Sequence, residues 1–526
     1  MHTEPVDSKV AHEGFYLRWN EHAPGKAAVT RLAQDVLGQT IRVQQLGPGW
    51  LVTGKSQLAT GRAWSMARSL RNAAATPEDL DVEPLFAVTA DVPRPKSSSD
   101  GPPLDCAATN MVWSLDATRT QRAWTLEPPE GGQRMGAGIR VAHPDTGYTR
   151  HPEVHSAPPA ALRLRTDLGY DFEAGRKDSL DPLDGSNAHG TATASVIMSD
   201  AGGGDRFVSG VAPAAELVPL RVSDKVVHFS FRNVALAIHH AIAVEADLIS
   251  MSLGGPVSSR ALADAVDSAN AKGLVVLAAA GNIWPWVVYP AKLPGVIAVA
   301  ASNCQDRPWR KSASGSAVDI CAPGESVWRA WTKLSGGNWD YRVDPSSGTS
   351  YAVASVAGAC ALWLAYHGLP RIRAAAGSLS RVGELFRHCL KASARTPKGW
   401  DGENYGAGIL DTMALLQQPL GQPWMAKAKS AARAKSGDPL GVIAAAFPQD
   451  EQNEVVARLE SLLGGTPATR KRRLSSFGAE LAFHVATDAA LHRALSKPKP
   501  KRGAMSLPLR GASRELLEAI GQGGAK

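Results

Sequence analysis

Along residues 105–417, short apolar runs alternate with longer stretches whose apolar positions recur every three or four residues. Ile139–His143, Leu217–Val222, Leu248–Leu253, Leu274–Ala279 and Val296–Ala300 have the pattern of strands covered on both faces. The stretch after His189, Arg232–Ala246 and Ser258–Lys272 have helical spacing. Strands alternating with helices predict an α/β fold, a parallel sheet between two helical layers. Ligands bind such sheets at the carboxyl ends of the strands.

The flanks read differently. In residues 1–90, Ile41–Val43 and Trp50–Thr53 predict short strands, and Asp79–Phe86 an extended segment. Arg62–Asn72 predicts a helix with Trp64, Ala67 and Leu70 on one face. Together they predict a small α+β domain. Residues 91–104 are rich in Pro, Ser and Gly, which block regular hydrogen bonding and favour open chain, so they predict a linker. From 418 to 526, Ala-rich stretches at about 451–463 and 473–496 predict a helical extension. It holds no catalytic motif and no solenoid-like repeat.

Charge sharpens this division. The chain of 526 residues carries a net charge of +8. Residues 421–526 hold 17 Lys/Arg against 9 Asp/Glu, whereas the other 420 residues hold 40 of each. The basic character therefore belongs to the extension, with clusters at Arg470–Arg473 and Lys497–Arg502. A solvated appendage is one reading. Docking to an acidic partner, a membrane or nucleic acid is the other. Five scattered cysteines are too few for a disulfide scaffold, lack the close pairs of a zinc site, and fit a reducing compartment weakly. No stretch reaches the roughly 18 uninterrupted apolar residues of a transmembrane segment. No secretory signal is visible after Met1, which leaves a cytoplasmic protein or a gene start that omits a leader.

Four motifs fall where the central fold would place a site. Ser347-Gly348-Thr349-Ser350 is a small-residue turn feeding an apolar helix that runs to about Tyr366. Ser350 thus sits at a helix amino end, where free N–H groups and the helix dipole favour a developing negative charge. Read alone, it is a helix cap. Arg140–Gly147 is a strand ending in Asp145-Thr146-Gly147, and Asp145 read alone is a turn residue. His189-Gly190-Thr191 opens a small-residue helix, and Ala278-Ala279-Ala280-Gly281-Asn282 ends a buried strand. Each has a structural explanation by itself. Their occurrence together, in the order Asp, His, Asn, Ser, points to a serine nucleophile with the base that it needs.

Residues 110–417 resemble the catalytic domain of the subtilisin-like serine proteases, the subtilases. The likeness extends to Gly210-Val211-Ala212-Pro213, Asp247–Gly255, Tyr289-Pro290-Ala291-Lys292, Ala322-Pro323-Gly324 and Tyr405-Gly406-Ala407-Gly408. It implies a subtilisin-like three-layer fold and a serine endopeptidase that works through an acyl-enzyme. His189 would take the Ser350 proton, Asp145 would hold the imidazole, and Asn282 with the Ser350 N–H would hold the oxyanion. Polypeptide substrates would add as a strand along Ser252-Leu253-Gly254, with Ala278-Ala279-Ala280 lining one wall of the specificity pocket. Trp284 and Trp286 either shape that pocket or pack in the core.

The chain departs from the family at several points. Ala354 stands for a usual proline, Ser355 and Ala192 for common histidines, and His143-Pro144 for an apolar β-branched pair. None of these deletes a catalytic group. The usual calcium loop is missing: Ser199–Ser209 is short and glycine-rich, and Asp200 and Asp205 read as solvated carboxylates. No metal or cofactor is expected, and structural calcium is not indicated. Ala67–Asn72 and Asp79–Pro84 resemble the end of a subtilase prodomain, which would act as an intramolecular inhibitor and be cut off at the linker. A permanent accessory domain is the alternative. The intact set of four argues against an inactive binder on the same fold. His189 argues against a sedolisin-type acid protease, which has glutamate there.

Overall fold

The computed structural model describes residues 9–55, 58–89, 105–154, 163–183, 188–200, 206–226, 231–256, 258–420, 452–488, 491, 494–495, 509 and 511–520. The predicted linker at 91–104 and the cluster at Lys497–Arg502 lie outside them.

The amino-terminal domain has the order β1 (Lys9–Trp19), helix Lys26–Leu37, β2 (Ile41–Leu46), β3 (Gly49–Gly54), helix Thr60–Ala73 and β4 (Leu80–Thr89). Its strands form an antiparallel sheet in the order β2-β3-β1-β4. The first strand and first helix add to the predicted elements. In β1 the apolar alternation is interrupted by Glu13 and Gly14, and the register shifts between His12 and Gly14. Glycine is required there: φ is +139°, and a Cβ would lie 2.4 Å from the Val52 carbonyl oxygen.

The central domain is built on seven parallel strands: β5 (Arg140–Asp145), β6 (Tyr170–Asp171), β7 (Glu216–Arg221), β8 (Leu248–Met251), β9 (Val275–Ala279), β10 (Val296–Ser302) and β11 (Ile320–Pro323). Their order is β11-β10-β9-β8-β5-β7-β6. Successive side chains of a strand point to opposite faces, and here both faces are core. Val275, Leu277 and Ala279 of β9 join one apolar cluster, with the helices His189–Met198 and Thr349–His367. Val276, Ala278 and Ala280 join the other, with the helices Arg232–Ala243 and Arg260–Ala271. This double burial is why the strands read as apolar runs and not as alternating ones. It also explains the tolerance of Pro144. The ladder between β5 and β8 spans only Val141 and Ala142, so the missing proline N–H falls beyond it. Thr349–His367 is long and apolar enough to cross a membrane, but it lies almost wholly buried beneath the sheet. A two-stranded hairpin, β12 (Val327–Ser335) and β13 (Asn338–Ser346), precedes it.

The amino-terminal sheet packs on the helices Arg232–Ala243 and Arg260–Ala271 through Tyr16, Leu46, Leu51 and Leu85. The Tyr16 hydroxyl donates to Asp264 Oδ2 at 2.9 Å. The Glu83 carboxylate accepts from the Arg260 N–H at 2.8 Å, a partner for one of the free donors at that helix's amino end. Burial raises Glu83 to about 7, against the lowering pull of the Arg260 and Ala261 amides.

In the extension, the helix Gln452–Leu463 agrees with the sequence pattern. The next helix begins at Pro467, not 473. Thr466 caps it by accepting from the Thr469 N–H, and proline suits the first helical turn, so the basic run Arg470–Arg473 is helical and not a connector. It ends at Thr487. Cys106 and Cys304 form a disulfide across 198 residues of sequence, with Cα atoms 6.2 Å apart. Spacing along the chain could not reveal that pair, and it removes the cysteine argument for a reducing compartment. Cys321, Cys360 and Cys389 are free and buried.

Candidate active site

Asp145 ends β5 and is 2% exposed. His189 is the first residue of its helix, after Ala188 at φ +59°. Ser350 is the second residue of the helix Thr349–His367. The three come from segments far apart in sequence and meet at the carboxyl end of the sheet. His189 Nδ1 lies 2.7 Å from Asp145 Oδ1, and His189 Nε2 lies 3.1 Å from Ser350 Oγ. With Nδ1 donating to the carboxylate, Nε2 carries the lone pair that faces the serine hydroxyl.

The glycines beside these residues have a direct steric cause. A Cβ on Gly190 would lie 2.0 Å from the Gly147 carbonyl oxygen. The turn after Asp145 and the start of the histidine helix touch backbone to backbone. Gly147 itself has φ +100°. Thr146 ties the two together: its Oγ1 accepts from the Gly190 N–H at 3.0 Å and donates to Asp181 Oδ2 at 2.7 Å.

Burial alone would raise the Asp145 pKa. The His189 charge and hydrogen bond, the nearby His143 and the Thr146 N–H outweigh it and hold the group below its usual value. On the far side of Asp145 stands His143, 1% exposed. Burial lowers its pKa, although Asp145 pulls the other way. His143 Nε2 lies 3.0 Å from Thr193 Oγ1. The other partners of that hydroxyl are acceptors: the His189 and Gly190 carbonyls at 3.1 and 3.3 Å and Asp145 Oδ2 at 3.4 Å. The hydroxyl donates among these, so His143 donates to it from Nε2. Thr193→Val strands that N–H in the core. It is expected to lower stability by about 1–3 kcal/mol, with Thr193→Ser recovering most of the loss, as read by denaturant unfolding. Equal unfolding midpoints for Thr193→Val and the parent would contradict the assignment.

Asn282 follows β9 and Gly281, whose φ is +109°. Thr349 Oγ1 accepts from the Gly281 N–H at 3.2 Å and donates to Asn282 Oδ1 at 2.8 Å. The amide oxygen is thereby occupied, and Nδ2 is the side chain's donor. Thr349 was readable from the sequence only as part of a turn.

The predicted substrate segments are neighbours, since Met251 of β8 registers with Ala278 of β9. Ala278, Ala279 and Ala280 are buried. Ser252, Leu253 and Gly254 are also buried, so the free strand edge expected there is covered. The Gly254 N–H donates to the Val226 carbonyl at 3.0 Å, and a Cβ on Gly254 would meet Val288 and Tyr289. The Ser252 hydroxyl donates to the Ser350 carbonyl at 3.1 Å. Trp284 and Trp286 are half-buried, and Trp286 packs against the apolar cluster of the C-terminal extension. Among the described residues, no three His, Cys, Asp or Glu side chains cluster to hold a metal. Asp200 pairs with Arg163, and Asp205 lies outside the described residues.

The sequence profile of the Subtilase family matches residues 136–408. Subtilisin E of Bacillus subtilis is 35% identical over 238 residues, which cover 44% of this chain and 57% of that protein. Subtilisin DY of Bacillus licheniformis is 32% identical over 287 residues, covering 54% of this chain and 92% of that protein. The chain thus spans little more than half of some of these relatives and nearly all of others. Fervidolysin from Fervidobacterium pennivorans, a keratinolytic enzyme related to subtilisin, shares the fold with a TM-score of 0.58 at 20% identity. That likeness covers 80% of this chain and 63% of fervidolysin.

Proposed function

This chain belongs to the subtilase family, and on that premise we propose that it is a serine endopeptidase with Asp145, His189 and Ser350 as its catalytic triad. The observation that carries the reading is the unbroken hydrogen-bonded line from Asp145 through His189 to Ser350. His189 Nε2 takes the Ser350 proton as Oγ attacks the substrate carbonyl carbon. Negative charge then develops on the carbonyl oxygen, within reach of the Ser350 N–H and Asn282 Nδ2. Collapse of the tetrahedral intermediate breaks the C–N bond, and His189 gives its proton to the leaving amine. A water, deprotonated by His189, hydrolyses the acyl-enzyme by the same route. Asp145 keeps the imidazole oriented and offsets its charge while it is protonated.

Substrate would enter as a strand beside Ser252–Gly254, exchanging the contact between Gly254 and Val226 for its own. Residues 9–89 would be the prodomain. Support comes from their α+β sheet and from its seat on the two helices that flank β8. A fluorophosphonate probe is expected to label Ser350 in the mature wild-type protein, with casein hydrolysed in parallel. Labelling and hydrolysis at background level, equal to those of Ser350→Ala, would overturn the endopeptidase reading.

A further inference from the structure

The C-terminal extension touches both other parts of the molecule. Its helices enclose their own apolar cluster, with Val455, Leu459, Leu463, Leu481 and Val485 buried. Trp286 of the central domain packs on that cluster, four residues beyond Asn282. On another side the extension meets the amino-terminal domain at the helix Thr60–Ala73 and the end of β4. Phe483 packs tilted against Phe86 with centroids 4.7 Å apart and edge-on to Trp64 at 6.2 Å, and all three rings are buried.

A polar centre beside these rings fixes the register. Glu480 is 1% exposed. It accepts from Arg68 Nη1 at 3.0 Å, from the Ser513 N–H at 2.6 Å and from the Ser513 hydroxyl at 2.9 Å. Arg68 Nη2 donates to Glu515 at 3.1 Å, and its guanidinium lies over Phe477, 5.1 Å from the ring centroid. The Ser65 hydroxyl donates to Glu515 at 2.7 Å. A buried carboxylate is tolerated only with such partners, and one of them belongs to the amino-terminal domain. Gly61 shows how closely the two surfaces fit: a Cβ there would lie 2.7 Å from the Ala512 carbonyl oxygen. In the basic run Arg470–Arg473, Arg470 and Arg473 donate within the extension itself, to the Gly465 and Leu463 carbonyls. Lys471 and Arg472 are exposed, and the extension meets its partner through aromatic rings and two glutamates.

We infer that the C-terminal extension is a clasp whose partner is the chain's own amino-terminal domain. It holds that domain on the central domain after the connecting segment 90–104 is cut. The central domain's own contacts, from Tyr16 and Glu83, come from the opposite part of the amino-terminal domain's surface, so the clasp adds a second hold. Removing a prodomain then requires opening both. The consequence for activity rests on the endopeptidase reading above, whereas the docking does not.

The test uses the full chain with Ser350→Ala and a recognition sequence for a site-specific protease placed within 91–103. Cleavage is then independent of the chain's own chemistry. After cutting, size-exclusion chromatography follows the amino-terminal fragment. The fragment is expected to co-elute with the rest of the chain, and Gly61→Ala and Arg68→Gln are each expected to speed its dissociation at least tenfold. Gly61→Ala raises helix propensity, so faster release by that variant cannot reflect a weakened amino-terminal domain. Dissociation rates within twofold of the parent for both variants would overturn the clasp. Absence of fluorophosphonate labelling in the uncut-site wild type would overturn the endopeptidase reading and leave the clasp standing.

Discussion

Ser350→Ala is expected to lower peptide turnover about 10⁶-fold and to leave the chain whole at residues 91–104. That magnitude belongs to subtilisin, a relative of this chain, and is carried over from it. The physical ground is local. The hydroxyl is the proposed nucleophile, and the base His189 Nε2 stands 3.1 Å from it. Without it, the oxyanion donors and binding alone remain, and these act together with the triad and not additively. A mass spectrum of purified protein checks both parts. Wild type should lose an amino-terminal fragment of about 90–105 residues, and Ser350→Ala should not. An intact wild-type chain with full activity would make residues 9–89 an accessory domain. Loss of the fragment in both proteins would place the cut in another enzyme's hands.

Asn282→Ala is expected to lower kcat by about 10²–10³-fold with little change in KM, again a value known from subtilisin. The amide meets charge that exists only in the transition state, so its loss should spare substrate binding. The structure adds a graded companion. Thr349→Val keeps Asn282 but removes the hydroxyl that occupies its Oδ1 at 2.8 Å. The amide can then turn, and kcat should fall by roughly tenfold, between wild type and Asn282→Ala. Steady-state kinetics on one chromogenic peptide decides it. A Thr349→Val enzyme as slow as Asn282→Ala would mean that Thr349 does more than orient the amide. An unchanged kcat would mean that the amide needs no such support.

Much of the central domain was legible because burial leaves a direct trace in composition. Strands covered on both faces become apolar runs, and β5, β7, β8, β9 and β10 all fall on such runs. Asp145, His189, Asn282 and Ser350 were legible because each is set in a short motif of small residues. Gly190 and Gly147 show why those motifs are small: the backbones of two distant segments touch, and any side chain would separate them. By contrast, β1 was hidden by charged residues and a bulge at Gly14, where the pattern breaks although the strand continues. The start of the helix at Pro467 was hidden by a basic run that looks like a connector.

Other features left no local trace at all. The Cys106–Cys304 pair joins residues that only the fold brings together. The covering of Ser252–Gly254 depends on where the Val226 carbonyl lies. The pairing of His143 with Thr193 joins residues 50 apart in the chain, and only His143 stands out in the sequence, as a departure from the family. The same holds for the extension. Its net charge of +8 left a solvated appendage and docking to an acidic partner, a membrane or nucleic acid as alternative readings, and charge counts exposed and buried groups alike. Residues 421–526 include the buried Glu480 and the partly exposed Glu515, the two groups that face Arg68.

By itself, the sequence determined the strand and helix alternation, the family and the choice of the four candidate groups. These follow from periodicity and from motifs a few residues long, which depend on near neighbours in the chain. The tertiary structure alone decided that Thr349 orients Asn282, that Thr193 links His143 to Asp145, and that the extension grips the amino-terminal domain. Each of these is a contact between residues distant in sequence, and a hydrogen bond or a buried ring requires a distance of a few ångströms that only the folded chain provides.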